Sequence, residues 1–161
     1  MKRLLIVWHS RTGAARSMAE AAADAARAEA EVVLRRAAEA VPDDVLAADG
    51  YLFVCPENLA SMSGEMKEFF DRTYYSCLER LNGRPYAALI AAGSDGANAA
   101  RQLARIATGW RLKPIAEPLI VCTHAQTPEA IAAEKRLTDA QLQPCRDVGQ
   151  ALAAGLAMGL F

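Results

Sequence analysis

The chain has 161 residues, 53% of them hydrophobic by an inclusive count and 23% charged. That length suits one domain, residues 1–161, with a substantial core; folding at this size buries roughly 68–70% of the unfolded chain's surface. Lys and Arg total 18 against 19 Asp and Glu, a formal charge of -1 with no basic cluster, which argues against nucleic-acid binding through counterion release. No apolar run approaches the roughly 18 residues of a membrane span. Met1–Val7 leads straight into a strand with no h-region or cleavage site behind it, so the expected compartment is the cytoplasm. Cys55, Cys77, Cys122 and Cys145 form no CxxC, and the two histidines are far apart, so no metal is expected and the thiols read as reduced and mostly buried.

In chain order, strand-length apolar runs alternate with helical patterns. Arg3–Trp8 comes first; its Leu4-Leu5-Ile6-Val7-Trp8 is apolar throughout, as a parallel strand buried on both faces should be. A helix from about Ala14 to Ala30 follows, favoured by its alanines. Glu31–Arg35 is short and charged at both ends, as an edge strand would be. Pro42–Ala48 suggests a second helix, and Tyr51–Cys55 is again wholly apolar. Met66, Phe69, Phe70, Thr73, Tyr74, Cys77, Leu78 and Leu81 form the wide apolar stripe of a third helix. Its other face carries Lys67 with Asp71 and Glu68 with Arg72, each i,i+4 pair contributing ~0.3 kcal/mol.

Gly83 and Pro85 close that helix, and Tyr86–Ala92 is the next strand. Ala97–Thr108 is a helix stopped by Gly109, and Leu119–Cys122 is the last strand. Thr127-Pro128-Glu129 reads as a cap with proline at the first helical position; Pro144 is expected to break that helix before a final one through Val148, Leu152 and Leu156. Strands alternating with helices through right-handed crossovers give an α/β doubly wound sheet. Ligands bind such sheets beyond the carboxyl ends of the strands, which directs attention to the loops after Trp8, Cys55, Ala92 and Cys122.

The first loop, His9-Ser10-Arg11-Thr12-Gly13-Ala14-Ala15-Arg16-Ser17, joins a buried strand to a helix with hydroxyls, one glycine and small residues. A helix N-terminus offers unpaired N–H groups and the positive end of the macrodipole, so a phosphate fits there, with Ser10 and Thr12 as hydroxyl donors. It is neither a Walker A loop nor a GxGxxG fingerprint, and an ordinary strand-to-helix turn is the plainer alternative.

Ser10-x-Thr12-Gly13 after a first strand resembles the FMN phosphate loop of flavodoxin-like proteins. Pro56-Glu57-Asn58-Leu59-Ala60-Ser61-Met62-Ser63-Gly64-Glu65-Met66-Lys67, continuing to Phe69-Phe70-Asp71, resembles the PEYNxSxPGxLKxxxD segment of NAD(P)H-dependent FMN and azo reductases. It equally resembles the MSGxMKxFxD stretch of quinone reductases of the tryptophan-repressor-binding-protein type. Gly93-Ser94-Asp95-Gly96-Ala97-Asn98 sits where that superfamily places its second isoalloxazine loop.

The resemblance implies a flavodoxin-like three-layer doubly wound five-stranded parallel sheet, order 2-1-3-4-5, with FMN at its carboxyl edge. It implies that Ser10, Thr12, Gly13, Ala14 and Ala15 surround the phosphate. Pro56, Glu57, Asn58, Leu59, Ser61 and Met62 would lie against the ring, and Gly93, Ser94, Asp95 and Gly96 would flank its other edge. The implied activity is an FMN-dependent NAD(P)H oxidoreductase that takes NADPH or NADH as reductant and passes electrons to a quinone, flavin or similar planar acceptor. The alternatives are a non-enzymatic FMN-binding electron carrier or redox-sensing partner protein, and a scaffold without cofactor. Reductases of this type often form homodimers or homotetramers.

Two departures bear on the choice. Flavodoxins usually end the phosphate motif with a second Thr, where this chain has Ala15, and they commonly sandwich the ring between aromatic residues that both ring loops here lack. An uncovered ring face favours stacking with a second planar molecule, and a charge of -1 offers little steering to an electron carrier. Enzyme is therefore preferred to carrier.

Some residues carry two readings. His124 could transfer a proton at the flavin rim, or be a surface-loop histidine. His9 reads as a local partner of its loop, and Cys55 as packing rather than redox chemistry. Glu57 and Asp95 are acids beside the ring or acceptors for backbone N–H groups. Tyr74 and Tyr75 cannot both face the core. Gly109-Trp110-Arg111-Leu112-Lys113-Pro114 is a dinucleotide clamp or subunit contact, or, as preferred, a helix stop anchored by Trp110.

Overall fold

In the computed structural model, which describes residues 1–161, the elements are β1 (Arg3–Trp8), α1 (Ala14–Ala26), β2 (Glu31–Arg36), α2 (Pro42–Ala47), β3 (Gly50–Asn58), β4 (Ser61–Met62), α3 (Gly64–Cys77), β5 (Pro85–Ala92), α4 (Ala97–Gly109), β6 (Lys113–Pro114), β7 (Leu119–Cys122), α5 (Pro128–Ala132) and α6 (Asp139–Met158). The parallel sheet runs β2-β1-β3-β5, with β6 and β7 beyond β5. The fifth position is thus split: β6 pairs with the start of β5 and β7 with its end, interrupted between Pro114 and Leu119. The expected order 2-1-3-4-5 holds for these parallel positions, while the strand total is seven because of the split and of β4, which turns back antiparallel on the end of β3.

The wholly apolar runs are explained by the two helical layers. Along β1, Leu5 and Val7 enter a core shared with α2, α3 and α4, while Leu4 and Ile6 enter one shared with α1 and α6. The same period of two sends Tyr51, Phe53 and Cys55 of β3 to one layer and Leu52 and Val54 to the other. The alanines of α1 let α6 approach closely. A Cβ at Gly149 would collide with the carbonyl of Ala22, so only glycine permits that contact.

Several element ends differ from the sequence reading. The first helix stops at Ala26, because the connection to the edge strand tightens there, with Glu29 and Ala30 N–H groups both bonded to Ala26 O. The third stops at Cys77, where Leu78 turns extended and Glu79 left-handed; Leu81 is buried beyond the helix rather than on it. Both i,i+4 pairs of α3 form, at 2.6 Å for Lys67–Asp71 and 2.7 Å for Arg72–Glu68.

Pro144 does not end a helix. It lies inside α6, where it removes its own ladder bond without ending the helix, and the real break is Ala133–Thr138. Thr138 and Gln141 start α6 with a capping box, the signal that overrides the proline. Trp110 is fully buried, donates from Nε1 to Tyr74 O at 2.9 Å and stacks on the Tyr74 ring; Tyr75 is 82% exposed. Trp110 is the anchor after the helix stop, and its burial takes the indole ring out of reach of a ligand. No helix of the chain is long and apolar enough to cross a membrane.

Candidate functional site

The loops after β1, β3, β5 and β7 meet at the carboxyl edge of the sheet around a cavity of about 490 Å³, within the range typical of small-molecule sites. Its floor at one end is the first turn of α1. Gly13 caps that helix with φ 105, a left-handed conformation available to glycine without a Cβ clash. Gly13 N–H donates to Ser10 Oγ at 3.0 Å, which folds the loop back on itself. The N–H groups of Arg11, Thr12, Ala14, Ala15 and Arg16 find no acceptor in the protein. Five free donors at the positive end of a helix make a cradle for an anion, and the methyl groups of Ala14 and Ala15 leave the backbone accessible.

The opposite wall is a hairpin. Glu57 pairs with Met62 and Asn58 with Ser61, which leaves Leu59 (φ 51) and Ala60 (φ 62) as a two-residue turn. Two successive left-handed non-glycine residues are disfavoured by about 1–2 kcal/mol each, so the turn needs external support. That support comes from α4. The Glu57 carboxylate accepts from the N–H groups of Gly96 (2.9 Å) and Ala99 (3.1 Å). Gln102 Oε1 accepts from Met62 N–H (2.8 Å) and Ser61 Oγ (3.1 Å), and Asn98 Nδ2 donates to Ala60 O at 2.5 Å. The hairpin tip therefore presents an exposed Leu59 at the cavity rim.

Beneath the two loops lies a polar cluster. His9 Nδ1 is 2.8 Å from Ser63 Oγ, and its Nε2 is 3.4 Å from Glu65 Oε2, without the alignment of a hydrogen bond. Burial lowers the His9 pKa, with Glu65 opposing and Arg36 and Arg11 adding to the shift. Cys55 is fully buried, and burial pushes its thiol up to about 12 despite hydrogen bonds from Ser63. A thiol so held does not supply thiolate chemistry near neutral pH.

Of the residues singled out by sequence, Ser10, Thr12, Ala14 and Ala15 line the cavity together with Pro56, Glu57, Asn58, Leu59, Gly93 and Ser94. Gly13 lies behind them, with space for a Cβ 3.5 Å from Lys135 O. Ser61 and Met62 are directed to Gln102 and the core, Asp95 caps α4 through Ala97 N–H, and Gly96 serves Glu57. None of these four borders the cavity. His124 is exposed with φ 60 and is not among the lining residues. The Glu57 and Asp95 carboxylates both accept from N–H groups at the start of α4, and Glu57 also lines the cavity.

The loop after Cys122, flagged by its place in the sheet, contributes Thr123 and Ala125, while Ile131, Ala132 and Lys135, which no sequence signal marks, complete the cavity. The Lys135 N–H donates to Thr12 O at 2.8 Å, and its Nζ lies 3.4 Å from Thr12 Oγ1 across a sequence separation of 123. No spacing rule links residues so far apart. Only the topology, which returns the chain past α1 after β7, brings them together.

The fold defines an open α/β sheet with a row of free backbone N–H groups at its first crossover. A family model described as NADPH-dependent FMN reductase matches residues 25–127, and the chain belongs to that family. The match contains the second and third loops and leaves the loop between β1 and α1 outside it. A flavodoxin from Aquifex aeolicus is 35% identical over 98 residues, covering 60% of this chain and 53% of that protein. An NAD(P)H dehydrogenase (quinone) from Acidithiobacillus ferrooxidans is 34% identical over 95 residues, 45% of this chain and 48% of the relative. The chain thus matches about half the length of these curated relatives. A solved flavodoxin structure from the domain Archaea superposes with a TM-score of 0.77 at 18% identity, covering 96% of this chain and 98% of the other.

Proposed function

We propose that the chain is an FMN-dependent NAD(P)H oxidoreductase that passes electrons to a quinone, a free flavin or a similar planar acceptor. The observation that carries this reading is one continuous cavity with an anion cradle at one end and, at the other, a strained hairpin whose rim residue Leu59 is wholly exposed. The residues suit FMN: the free N–H groups of Arg11, Thr12, Ala14, Ala15 and Arg16, with the hydroxyls of Ser10 and Thr12, would hold its phosphate. Pro56–Ala60 and Gly93–Ser94 would hold the ring edges, and the N–H groups of Leu59, Ala60, Gly93 and Ser94 have no acceptor in the protein. Bound FMN would supply the hydride chemistry, which no side chain here offers.

The protein's own contribution is positional and electrostatic. Free backbone donors on both ring loops are fixed by Glu57, Asn98 and Gln102 and need no reorganisation to meet negative charge at the ring edge. No aromatic side chain lines the cavity, so no ring of this chain would stack on the flavin, and a nicotinamide and then an acceptor would use one face in turn. Sequential use of one face gives ping-pong kinetics. The test is steady-state NADPH or NADH oxidation by FMN-loaded protein with a small benzoquinone or naphthoquinone as acceptor. Parallel double-reciprocal lines and turnover that depends on bound FMN support the proposal; no turnover with any planar acceptor refutes it.

A further inference from the structure

Lys135 stands in the segment between α5 and α6 that passes over the phosphate loop. Its Nζ donates to Ile131 O (2.9 Å) and Ala133 O (2.6 Å) and lies 3.4 Å from Thr12 Oγ1. All three partners are neutral oxygens, and Lys135 forms no ion pair with any carboxylate of the chain. The carbonyls of Ile131 and Ala133 hold a partly buried positive charge at the cavity wall without a counter-ion. A cation in that state favours an anion beside it.

The segment has little else to hold it there. Residues 126–134 are all exposed, α5 buries nothing, and the one backbone bond to the phosphate loop is Lys135 N–H to Thr12 O. Beyond Lys135, only Leu137 packs partly against the core. Within the cradle, Ala15 has no hydroxyl to offer a phosphate. We propose that Lys135 is a phosphate ligand of the flavin site, delivered by the 133–138 segment, and that it supplies the contact Ala15 cannot. This rests on the reading of the cavity as an FMN site.

The test compares FMN with riboflavin, which has the same ring and no phosphate. Both are titrated by fluorescence quenching against the wild-type chain, K135Q and K135R, with FMN titrated across a range of salt. K135Q is expected to weaken FMN about ten- to hundred-fold, the loss of one charge-assisted hydrogen bond, while riboflavin changes by less than about two-fold. K135R should recover most of the affinity, and the salt dependence for K135Q should be shallower than for wild type. Unchanged FMN affinity in K135Q overturns the assignment, as does equal weakening of both flavins or an unchanged salt dependence. A wild-type chain that binds neither flavin overturns the FMN reading itself, an outcome distinct from all of these.

Discussion

Removing the Glu57 side chain separates a helix-supporting acid from an acid that acts on a ligand. Its carboxylate takes two N–H groups at the start of α4, at 2.9 and 3.1 Å, and sits at the positive end of that helix. In E57A both donors lose their acceptor, at about 1 kcal/mol each for a partly buried group, and the dipole interaction adds about 0.3–1 kcal/mol. The expected loss is about 2–3 kcal/mol, or a Tm lower by roughly 4–12 °C for a chain of this size. E57Q keeps one acceptor oxygen and should lose about half as much. Thermal unfolding by circular dichroism at pH 7 reads the effect, with FMN titration in parallel. Flavin affinity should fall modestly, because the hairpin that Glu57 ties to α4 loses one anchor. Wild-type melting combined with abolished flavin binding would refute the reasoning and make Glu57 a ligand-contacting acid.

Other variants test separate parts of the structure. Gly13→Asp puts a negative charge directly behind the cradle at a left-handed position; it should strongly weaken FMN binding while costing about 1–2 kcal/mol of stability, because its Cβ has room. Retained FMN affinity would remove the phosphate role from that loop. In native protein a disulfide reagent at pH 8 should modify Cys122 rapidly. Cys55, Cys77 and Cys145 should react only after unfolding, since they are buried and burial raises their pKa values, to about 12 for Cys55 and about 11 for Cys145. Two or more fast thiols would contradict that burial. The folded pKa of His9 lies below its ordinary 6.5, so the unfolded chain binds the proton more readily. Its contribution is complete above that value and is lost as pH falls through 6.5 towards the folded pKa. The Tm of His9→Gln should therefore vary less than wild type between pH 7.5 and 6, and equal slopes would exclude His9 as the source.

The layered sheet was legible because its central strands β1 and β3 are apolar through Leu4–Val7 and Leu52–Cys55, as strands covered by helices on both faces are. The strand-to-helix turn was legible in Ser10, Thr12 and Gly13, since a glycine and hydroxyls at such a turn carry a local signal. The hairpin was not. Leu59 and Ala60 are poor left-handed residues, and what holds them there is Asn98 and Gln102, distant in sequence and unmarked by any spacing. Asp95 and Gly96 point to α4 because helix-start donors compete for the same polar groups that a ring would use. Lys135 was hidden for a topological reason, as no local pattern reports which crossover passes over the first helix.

The central claim is that this cavity holds FMN and lets NAD(P)H reach it. The most direct measurement is anaerobic: load the protein with FMN, add NADPH or NADH, and follow the flavin absorbance near its visible maximum. The account predicts bleaching far faster than with free FMN at equal concentration. Tight flavin binding without bleaching would contradict the enzyme reading in favour of an electron carrier, and no flavin binding would contradict the site itself.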